Sequence, residues 1–227
     1  MPLKNNVKSS GSGRILYIVR HAEREDNINR HWKKLHPGMK EDNSPLSERG
    51  RVQAEELGKR FADIEFDHIF CSPFDRTVET ATRIVGNKNI PLKVEPGLAE
   101  ALYLCENPPG FEDPEKLKKK YPLVDTSYKP VFAPPMPREG YGDDACTPRL
   151  RKTLEGILER FNSGVFVFVG HGASIGALHE VLIDKWEYVG QATVSQFEEL
   201  DNKPGKFKCI LSSDASHLSD KSNLRPW

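Results

Sequence analysis

Short apolar runs without polar alternation are the feature that most constrains the fold of this 227-residue chain. Residues 165–169 read Val-Phe-Val-Phe-Val, and residues 14–20 read Arg-Ile-Leu-Tyr-Ile-Val-Arg. Runs of this kind are typical of strands that are covered on both faces, as in a parallel sheet. Further strands are predicted over residues 66–71, 91–95, 193–200 and 206–211.

Helical patterns separate these runs. One helix is predicted from an N-cap at Ser47 to about residue 62, with Val52, Leu57 and Phe61 on one face. A second covers residues 75–85 and ends at Gly86. Later helices begin near residue 148, which is a proline, and after residue 172. Strand and helix alternate at the spacing of βαβ units, which predicts an α/β fold: a three-layer α/β/α sandwich with a mainly parallel sheet.

The stretch 103–146 has a different character, because it holds eight of the 17 prolines. We expect a long excursion over the sheet with one short helix near 115–120, acting as a lid or substrate-binding segment. Its aromatic residues could surround a hydrophobic leaving group or pack the segment onto the sheet: Tyr103, Phe111, Tyr121, Tyr128, Phe132 and Tyr141. Residues 1–13 are predicted to be a flexible leader, and residues 14–227 one domain.

Composition excludes several classes of protein. The chain has 33 Lys+Arg and 33 Asp+Glu, so no net charge draws it to nucleic acid or to an acidic membrane. Hydrophobic residues at 37% are too many for wholesale disorder, and no run approaches the roughly 18 apolar residues of a membrane span. The four cysteines stand far apart, which argues against a zinc site or a disulfide framework and favours reduced thiols in the cytoplasm.

Charged and histidine side chains follow successive predicted strands. The first strand ends at Arg20 and His21, the second leads through a Ser-Pro pair to Arg76, the third to Glu100, and the fourth to His171. Ligands of such folds bind beyond the carboxyl ends of the strands, so these side chains are expected to meet at one edge of the sheet. Together they could hold a phosphate dianion.

Each residue type suits one part of phosphoryl transfer. Arg20 and Arg76 can donate paired hydrogen bonds to phosphate oxygens, which neutralises charge without a metal ion. A neutral His21 could attack phosphorus if a backbone carbonyl held the proton of its other ring nitrogen. His171 could donate a hydrogen bond to the transferred group. Glu100 could act as general acid and then as base, provided that burial favours its protonated form.

The motifs around these residues resemble those of the histidine phosphatase superfamily, the phosphoglycerate mutase-like proteins. The matching motifs appear in family order: Arg-His-Ala-Glu at 20–23, Pro-Leu-Ser-Glu-Arg-Gly at 45–50, Ser-Pro-x-x-Arg at 72–76, Leu-x-Glu at 98–100 and Gly-His-Gly at 170–172. Ala22 stands where glycine is commoner. Additional likeness at 20–26, 94–100 and 125–130 is to the phosphatase domain of the suppressor-of-T-cell-receptor-signalling proteins.

The resemblance implies a metal-independent phosphomonoester hydrolase that needs no cofactor. It implies His21 as the phosphorylated nucleophile, Glu100 as acid and base, and four substrate ligands: Arg20, Arg24, Arg76 and His171. It also implies phosphotyrosine or steroid phosphates as substrates, and a homodimer. The chain is too short for the ubiquitin-binding and polyproline-binding modules of the larger proteins, so their partners are not carried over.

Three alternatives remain open at this point. A phosphoglycerate mutase would return the phosphoryl group to a sugar acid instead of water. The stretch Gly172-Ala-Ser174-Ile-Gly176 has the spacing of a serine hydrolase nucleophile elbow. The same scaffold could also be a phosphate-binding module without catalysis.

Overall fold

The computed structural model describes residues 13–201 and 203–225. Nearly all of the predicted leader therefore lies outside the described residues. Six strands form one sheet in the order β3-β2-β4-β1-β5-β6. Their bounds are β1 Ile15–Arg20, β2 His68–Cys71, β3 Leu92–Val94, β4 Val165–Gly170, β5 Val194–Glu199 and β6 Phe207–Asp214.

The sheet is mainly parallel, as predicted. Strands β3, β2, β4 and β1 run parallel, whereas β5 pairs antiparallel with β1, and β6 pairs antiparallel with β5. Register places Arg20 beside Gly170 and Cys71 beside Val169, so β1, β2 and β4 end at the same edge. This register brings the residues that follow the strands together.

Six α-helices accompany the sheet in the described residues. They are α1 Trp32–Leu35, α2 Glu48–Phe61, α3 Asp75–Val85, α4 Pro114–Lys120, α5 Thr147–Arg160 and α6 Gly172–Ile183. Two apolar cores lie on opposite faces of the sheet: one packs α2 and α3 against it, and the other packs α5 and α6. This three-layer arrangement confirms the predicted fold class.

The ends of the helices follow local rules. The Ser47 hydroxyl accepts a hydrogen bond from the backbone N–H of Gly50 at 2.9 Å, which caps α2. Helix α3 ends at Gly86, whose φ of 56° is costly for residues that carry a Cβ. Both ends were predicted.

One predicted packing position on α2 is wrong. Val52 is 49% exposed, whereas Ala54, Leu57 and Phe61 are buried. Val52 and Leu57 are five positions apart, and at about 100° per residue they lie on faces roughly 140° apart. The buried face includes Gln53 instead, which is polar and escaped a search for apolar residues.

Candidate active site

A cavity of about 260 Å³ lies at the carboxyl ends of the parallel strands. Four of the predicted site residues line it: Arg20, His21, Arg24 and Glu100. The other two are adjacent, since the rings of His171 and His21 are 5.2 Å apart and Arg76 contacts His171. The structure thus brings all the predicted residues together. We call Arg20, His21, Arg76 and His171 the strand-end cluster.

His21 has the protonation state of a nucleophile. Its Nδ1 lies 2.7 Å from the carbonyl oxygen of Ala22, and a carbonyl can only accept, so Nδ1 carries the proton. The lone pair is then on Nε2. The side chain is buried, and burial, followed by the charges of Arg76 and Arg20, holds the pKa of His21 well below its usual 6.5. His21 is therefore a neutral imidazole at physiological pH.

His171 forms a chain of hydrogen bonds with its neighbours. Arg76 Nη2 donates to His171 Nδ1 at 3.1 Å, because a guanidinium has no acceptor. The ring proton is therefore on Nε2, which lies 2.7 Å from the hydroxyl of Ser72. Burial and the charge of Arg76 hold the pKa of His171 well below 6.5. In this arrangement both ring nitrogens are engaged, so donation by His171 to a phosphoryl group would require it to exchange one of these bonds.

Both buried arginines keep a donor without a partner. Arg20 Nη1 donates to the carbonyls of Val189, at 2.7 Å, and Arg225, and Arg76 Nη1 donates to that of Asp42 at 2.8 Å. The Nε atoms of Arg20 and Arg76 are buried without a hydrogen-bond partner among the described residues. Burial lowers the pKa of Arg20 to about 10 and that of Arg76 to about 9, so both remain charged near neutrality. Buried, charged and unpartnered N–H groups suit an oxyanion.

Arg24 lies at the mouth of this cluster and is paired with a carboxylate. Its Nε donates to Asp26 Oδ1 at 2.8 Å, and its Nη2 contacts the other oxygen. Burial on its own would lower the pKa of Arg24, but the hydrogen bonds and charge of Asp26 raise it. The Asp26 carboxylate holds the guanidinium by two donors and leaves others for a substrate oxygen.

Glu100 is held at the N-terminus of α6. Its Oε1 accepts hydrogen bonds from the backbone N–H groups of Ala101, Ala173 and Ser174 at 3.0–3.3 Å. Oε1 therefore lies among backbone donors, and the structure does not show the apolar setting that the sequence analysis required for an acid. Oε2 has no hydrogen-bond partner among the described residues, which leaves it available for proton transfer.

Arg149 fixes the turn that carries Glu100. It is 3% exposed, and its guanidinium donates to the carbonyls of Gly97, Ala99 and Glu100 at 2.7–3.0 Å. It is also paired with Glu139. The sequence analysis missed this residue, because an arginine within an amphipathic helix carries no signal that it reaches a loop about fifty residues earlier.

Ser174 serves as a capping residue. Its hydroxyl accepts a hydrogen bond from the backbone N–H of His171 at 2.8 Å, and the side chain is fully buried. The histidine that follows in the chain, His179, lies against the Ser195 hydroxyl instead, at 3.0 Å. This arrangement lacks the serine–histidine pair that the hydrolase alternative requires.

The proline-rich segment forms a second, larger cavity of about 1040 Å³. Tyr103, Phe111 and Tyr128 line it, whereas Tyr121, Phe132 and Tyr141 are not among its lining residues. The segment also reaches the smaller cavity through Leu104 and Asp143. The aromatic residues therefore do not surround the candidate nucleophile directly.

Two further observations concern the described residues 13–201 and 203–225. None of their helices is long and apolar enough to cross a membrane. No group of three or more His, Cys, Asp or Glu side chains among them is placed to hold a metal ion.

Known proteins resemble this chain in sequence. Residues 16–204 match the family model of the histidine phosphatase superfamily, branch 1. Ecdysteroid-phosphate phosphatase of Bombyx mori is 28% identical over 221 residues, covering 80% of this chain and 33% of that protein. The enzyme of the same name from Drosophila melanogaster is also 28% identical, over 67% of this chain and 23% of that protein. The chain thus spans a third or less of the length of these relatives.

A solved structure has a similar fold. The ecdysone phosphate phosphatase of Bombyx mori, in complex with tungstate, superimposes with a TM-score of 0.66 at 22% identity. The match covers 92% of this chain and 96% of that one. Because the family model extends over most of the chain, this protein belongs to the histidine phosphatase superfamily.

Proposed function

We propose that this protein is a phosphomonoester hydrolase that works through a phosphohistidine on His21 and requires no metal ion. The observation that carries the proposal is the tautomer of His21, which has its proton on Nδ1 and its lone pair on Nε2, in a cluster of buried arginines. Family membership and relatives named phosphatases support the same reaction class.

The first step transfers the phosphoryl group to the histidine. The lone pair on Nε2 forms a bond to phosphorus while the bond from phosphorus to the ester oxygen breaks. Arg20 and Arg76 offer their unpartnered Nε–H groups, and Arg24 its remaining donors, to the phosphoryl oxygens. Glu100 Oε2 gives a proton to the departing oxygen.

Glu100 must be protonated for that first step. A phosphate dianion placed beside the carboxylate repels a negative charge there, so the bound substrate itself supplies an electrostatic reason for Glu100 to carry a proton. In the second step water attacks phosphorus, Glu100 takes the proton from the water, and the bond from phosphorus to Nε2 breaks. His21 then returns to its neutral state.

The test is hydrolysis of p-nitrophenyl phosphate with excess EDTA, by the parent protein, His21→Ala, and His31→Ala as the matched control at an exposed histidine. We expect turnover that survives EDTA, is inhibited by vanadate, is retained by His31→Ala and is lost in His21→Ala. Turnover by His21→Ala at the parent rate would overturn the proposal, and so would a requirement for a metal ion.

A panel of phosphomonoesters addresses the natural substrate. The panel includes steroid phosphates because the two relatives described above are named for ecdysteroid phosphate. Phosphotyrosine peptides enter because of the motif resemblance. Isomerisation of 3-phosphoglycerate primed by 2,3-bisphosphoglycerate, at a rate above hydrolysis, would assign the mutase reaction instead. Binding of phosphate without any turnover would assign the non-catalytic module.

A further inference from the structure

The C-terminal stretch 214–225 returns to the candidate active site. Leu218 is buried in the core, and the carbonyl of Leu224 accepts a hydrogen bond from the Gln191 backbone N–H at 2.7 Å. The carbonyl of Arg225 accepts from Arg20, and Arg225 Nη2 donates to the carbonyl of Asn27 at 2.9 Å. These contacts make Arg225 part of the wall of the 260 Å³ cavity.

The backbone at this point has an unfavourable conformation. Arg225 has a φ of 49° and Asn223 a φ of 47°, in the left-handed region that residues with a Cβ rarely adopt. Such a conformation persists only where the surroundings enforce it, and outliers of this kind cluster at ligand sites. Here the contacts of Leu224 and Arg225 enforce it, and they place a third arginine, after Arg20 and Arg24, in the lining of the cavity.

A donor and an acceptor on this wall lack partners. Arg225 Nε and Gln191 Oε1 are both buried and have no hydrogen-bond partner among the described residues. They are neighbours, because Gln191 Nε2 donates to Asn27 Oδ1 at 2.9 Å while Arg225 binds the Asn27 carbonyl. A buried group without a partner is unfavourable, and a hydroxyl group can satisfy both, since it accepts one hydrogen bond and donates another.

This wall is placed to meet the alcohol portion of a substrate. The phosphoryl group is assigned to Arg20, Arg76 and His21, whose unpartnered atoms suit an oxyanion and a phosphorus centre. Arg225 contacts Arg20 and Asn27 and is only partly buried, whereas Arg20 and Arg76 are buried, and its charge adds to the burial that lowers the pKa of Arg20. A group bound by Arg225 in the cavity that Arg20 and His21 also line is therefore next to the phosphoryl group.

We propose that Arg225 and Gln191 bind a hydroxyl group of the substrate's alcohol, so that the enzyme favours phosphomonoesters of polyhydroxylated alcohols over those of alcohols without a further hydroxyl. The inference rests on the proposed function, because it assumes that a phosphomonoester occupies the cavity.

The experiment compares two esters that differ in their free hydroxyl groups. sn-Glycerol 3-phosphate and n-propyl phosphate are tested as competitive inhibitors of p-nitrophenyl phosphate hydrolysis, which requires no turnover of either. One well-formed hydrogen bond to a charged donor predicts that glycerol 3-phosphate has a Ki about tenfold lower. In Arg225→Met and in Gln191→Leu, the ratio of the two Ki values is expected to fall below about threefold.

Two more variants make the comparison specific. Arg83→Met, an exposed arginine on α3, is the matched control and keeps the parent ratio. Gly190→Ala places a Cβ 2.9 Å from the Leu224 Cβ, so it displaces the C-terminal stretch without changing either polar group. It is expected to lower the ratio as Arg225→Met does. The ratio cancels any general weakening of phosphate binding in a variant.

The outcomes separate the two claims. Absence of p-nitrophenyl phosphate turnover in the parent overturns the proposed function, and this inference with it. Turnover with equal Ki values for the two esters, or with no competition by either, overturns the inference alone. A preference for glycerol 3-phosphate that survives both Arg225→Met and Gln191→Leu also overturns it, because the hydroxyl is then bound elsewhere.

Discussion

The strand-end cluster and the proline-rich segment 103–146 are held in place by different means. The cluster follows parallel strands whose backbone hydrogen bonds fix where each side chain begins. The segment is anchored by two carboxylates from outside it, the buried Glu95 and the partly buried Asp42, which accept hydrogen bonds from loop N–H groups. Glu95 accepts from Gly97, Val131 and Phe132 at 2.6–3.1 Å, and Asp42 accepts from backbone N–H groups at 106 and 110.

The two regions differ in what their residues contribute: the cluster supplies charged and proton-transferring groups, and the segment supplies the wall of a cavity. The cluster consists of buried cations and neutral histidines, and its unpartnered donors suit an oxyanion. Its position depends on regular strands. The segment has few regular elements, so its course depends on a small number of anchors, of which Glu95 is fully buried. We therefore expect changes in the cluster to abolish turnover, and changes at the anchors to act mainly on stability.

The largest effect is expected at Arg76. Arg76→Ala removes a buried guanidinium that offers Nε to the substrate and holds His171. A loss of about 10³-fold in kcat/KM is expected, because charge developing on the phosphoryl oxygens is no longer neutralised. Arg76→Lys keeps the positive charge but lacks the paired N–H donors of the guanidinium, so it should recover only part of the lost activity.

Steady-state kinetics on folded protein measures this effect, with Arg83→Ala on the same helix as the control. A decrease of less than tenfold in Arg76→Ala would place the phosphoryl group elsewhere.

The next effect is expected at the anchor of the segment. Glu95→Ala leaves three backbone N–H groups and the Tyr128 hydroxyl, which donates to Glu95 at 2.8 Å, without their acceptor. The free energy of unfolding should fall by about 3 kcal/mol, since each stranded group costs about 1–3 kcal/mol and the loop relaxes in part. Glu95→Gln keeps an acceptor and should lose about half as much.

Urea denaturation measures both variants, and hydrogen exchange at Val131 and Phe132 shows where protection is lost. Equal stability of Glu95→Ala and the parent would mean that the segment is held in another way.

A smaller effect is expected where the two regions meet, at Arg149. Arg149→Lys cannot serve the carbonyls of Gly97, Ala99 and Glu100 together. Glu100 then loses its fixed position, and kcat should fall about 10–30-fold with little change in KM, as for a displaced general acid. Arg151→Lys, exposed on the same helix, is the control. A rise in KM at constant kcat would show that Arg149 acts on substrate binding.

The smallest effect is a dependence of stability on pH. Burial lowers the pKa of His21 and His171, and that of His179 to about 4, whereas residues 103–146 contain no histidine. Below pH 6.5 these histidines bind protons in the unfolded chain but not in the folded protein, so the free energy of unfolding falls as the pH falls. Well below pH 6.5 the slope approaches about 1.4 kcal/mol per pH unit for each histidine that stays neutral in the folded protein.

His179→Gln isolates one of these histidines outside the strand-end cluster. The loss of stability between pH 6.5 and 5.5 should be smaller than in the parent by about one histidine's share, which is about 1 kcal/mol because the unfolded histidine is already half protonated at pH 6.5. Urea denaturation of both proteins at the two pH values measures this difference. An equal loss of stability in the parent and in His179→Gln would contradict the lowered pKa of His179.

The sequence predicted the parts of the site that depend on the sheet. Arg20, His21 and His171 could be placed because strand ends are visible as apolar runs that stop at polar residues, and parallel strands end together. The cap at Ser47 and the end at Gly86 follow from local geometry in the same way. Val52 was misplaced because the face of α2 includes a buried polar residue.

Contacts between distant segments could not be predicted. Arg149, Gln191 and Arg225 reach the site through the tertiary fold, and no local pattern distinguishes them from other polar residues. The setting of Glu100 was also hidden, because its partners are backbone N–H groups at the start of α6. For the same reason the hydrogen-bonded state of His171 could not be inferred from its Gly-His-Gly context.

The most direct test of the central claim is to trap the intermediate. Glu100→Gln lacks the base for the second step, so p-nitrophenyl phosphate with its good leaving group should phosphorylate the enzyme faster than water releases it. Rapid quench at alkaline pH and mass spectrometry should find one acid-labile phosphoryl group, on the peptide that contains His21 and not in His21→Ala. Turnover with no phosphorylated peptide, or with the group on another residue, would contradict the account.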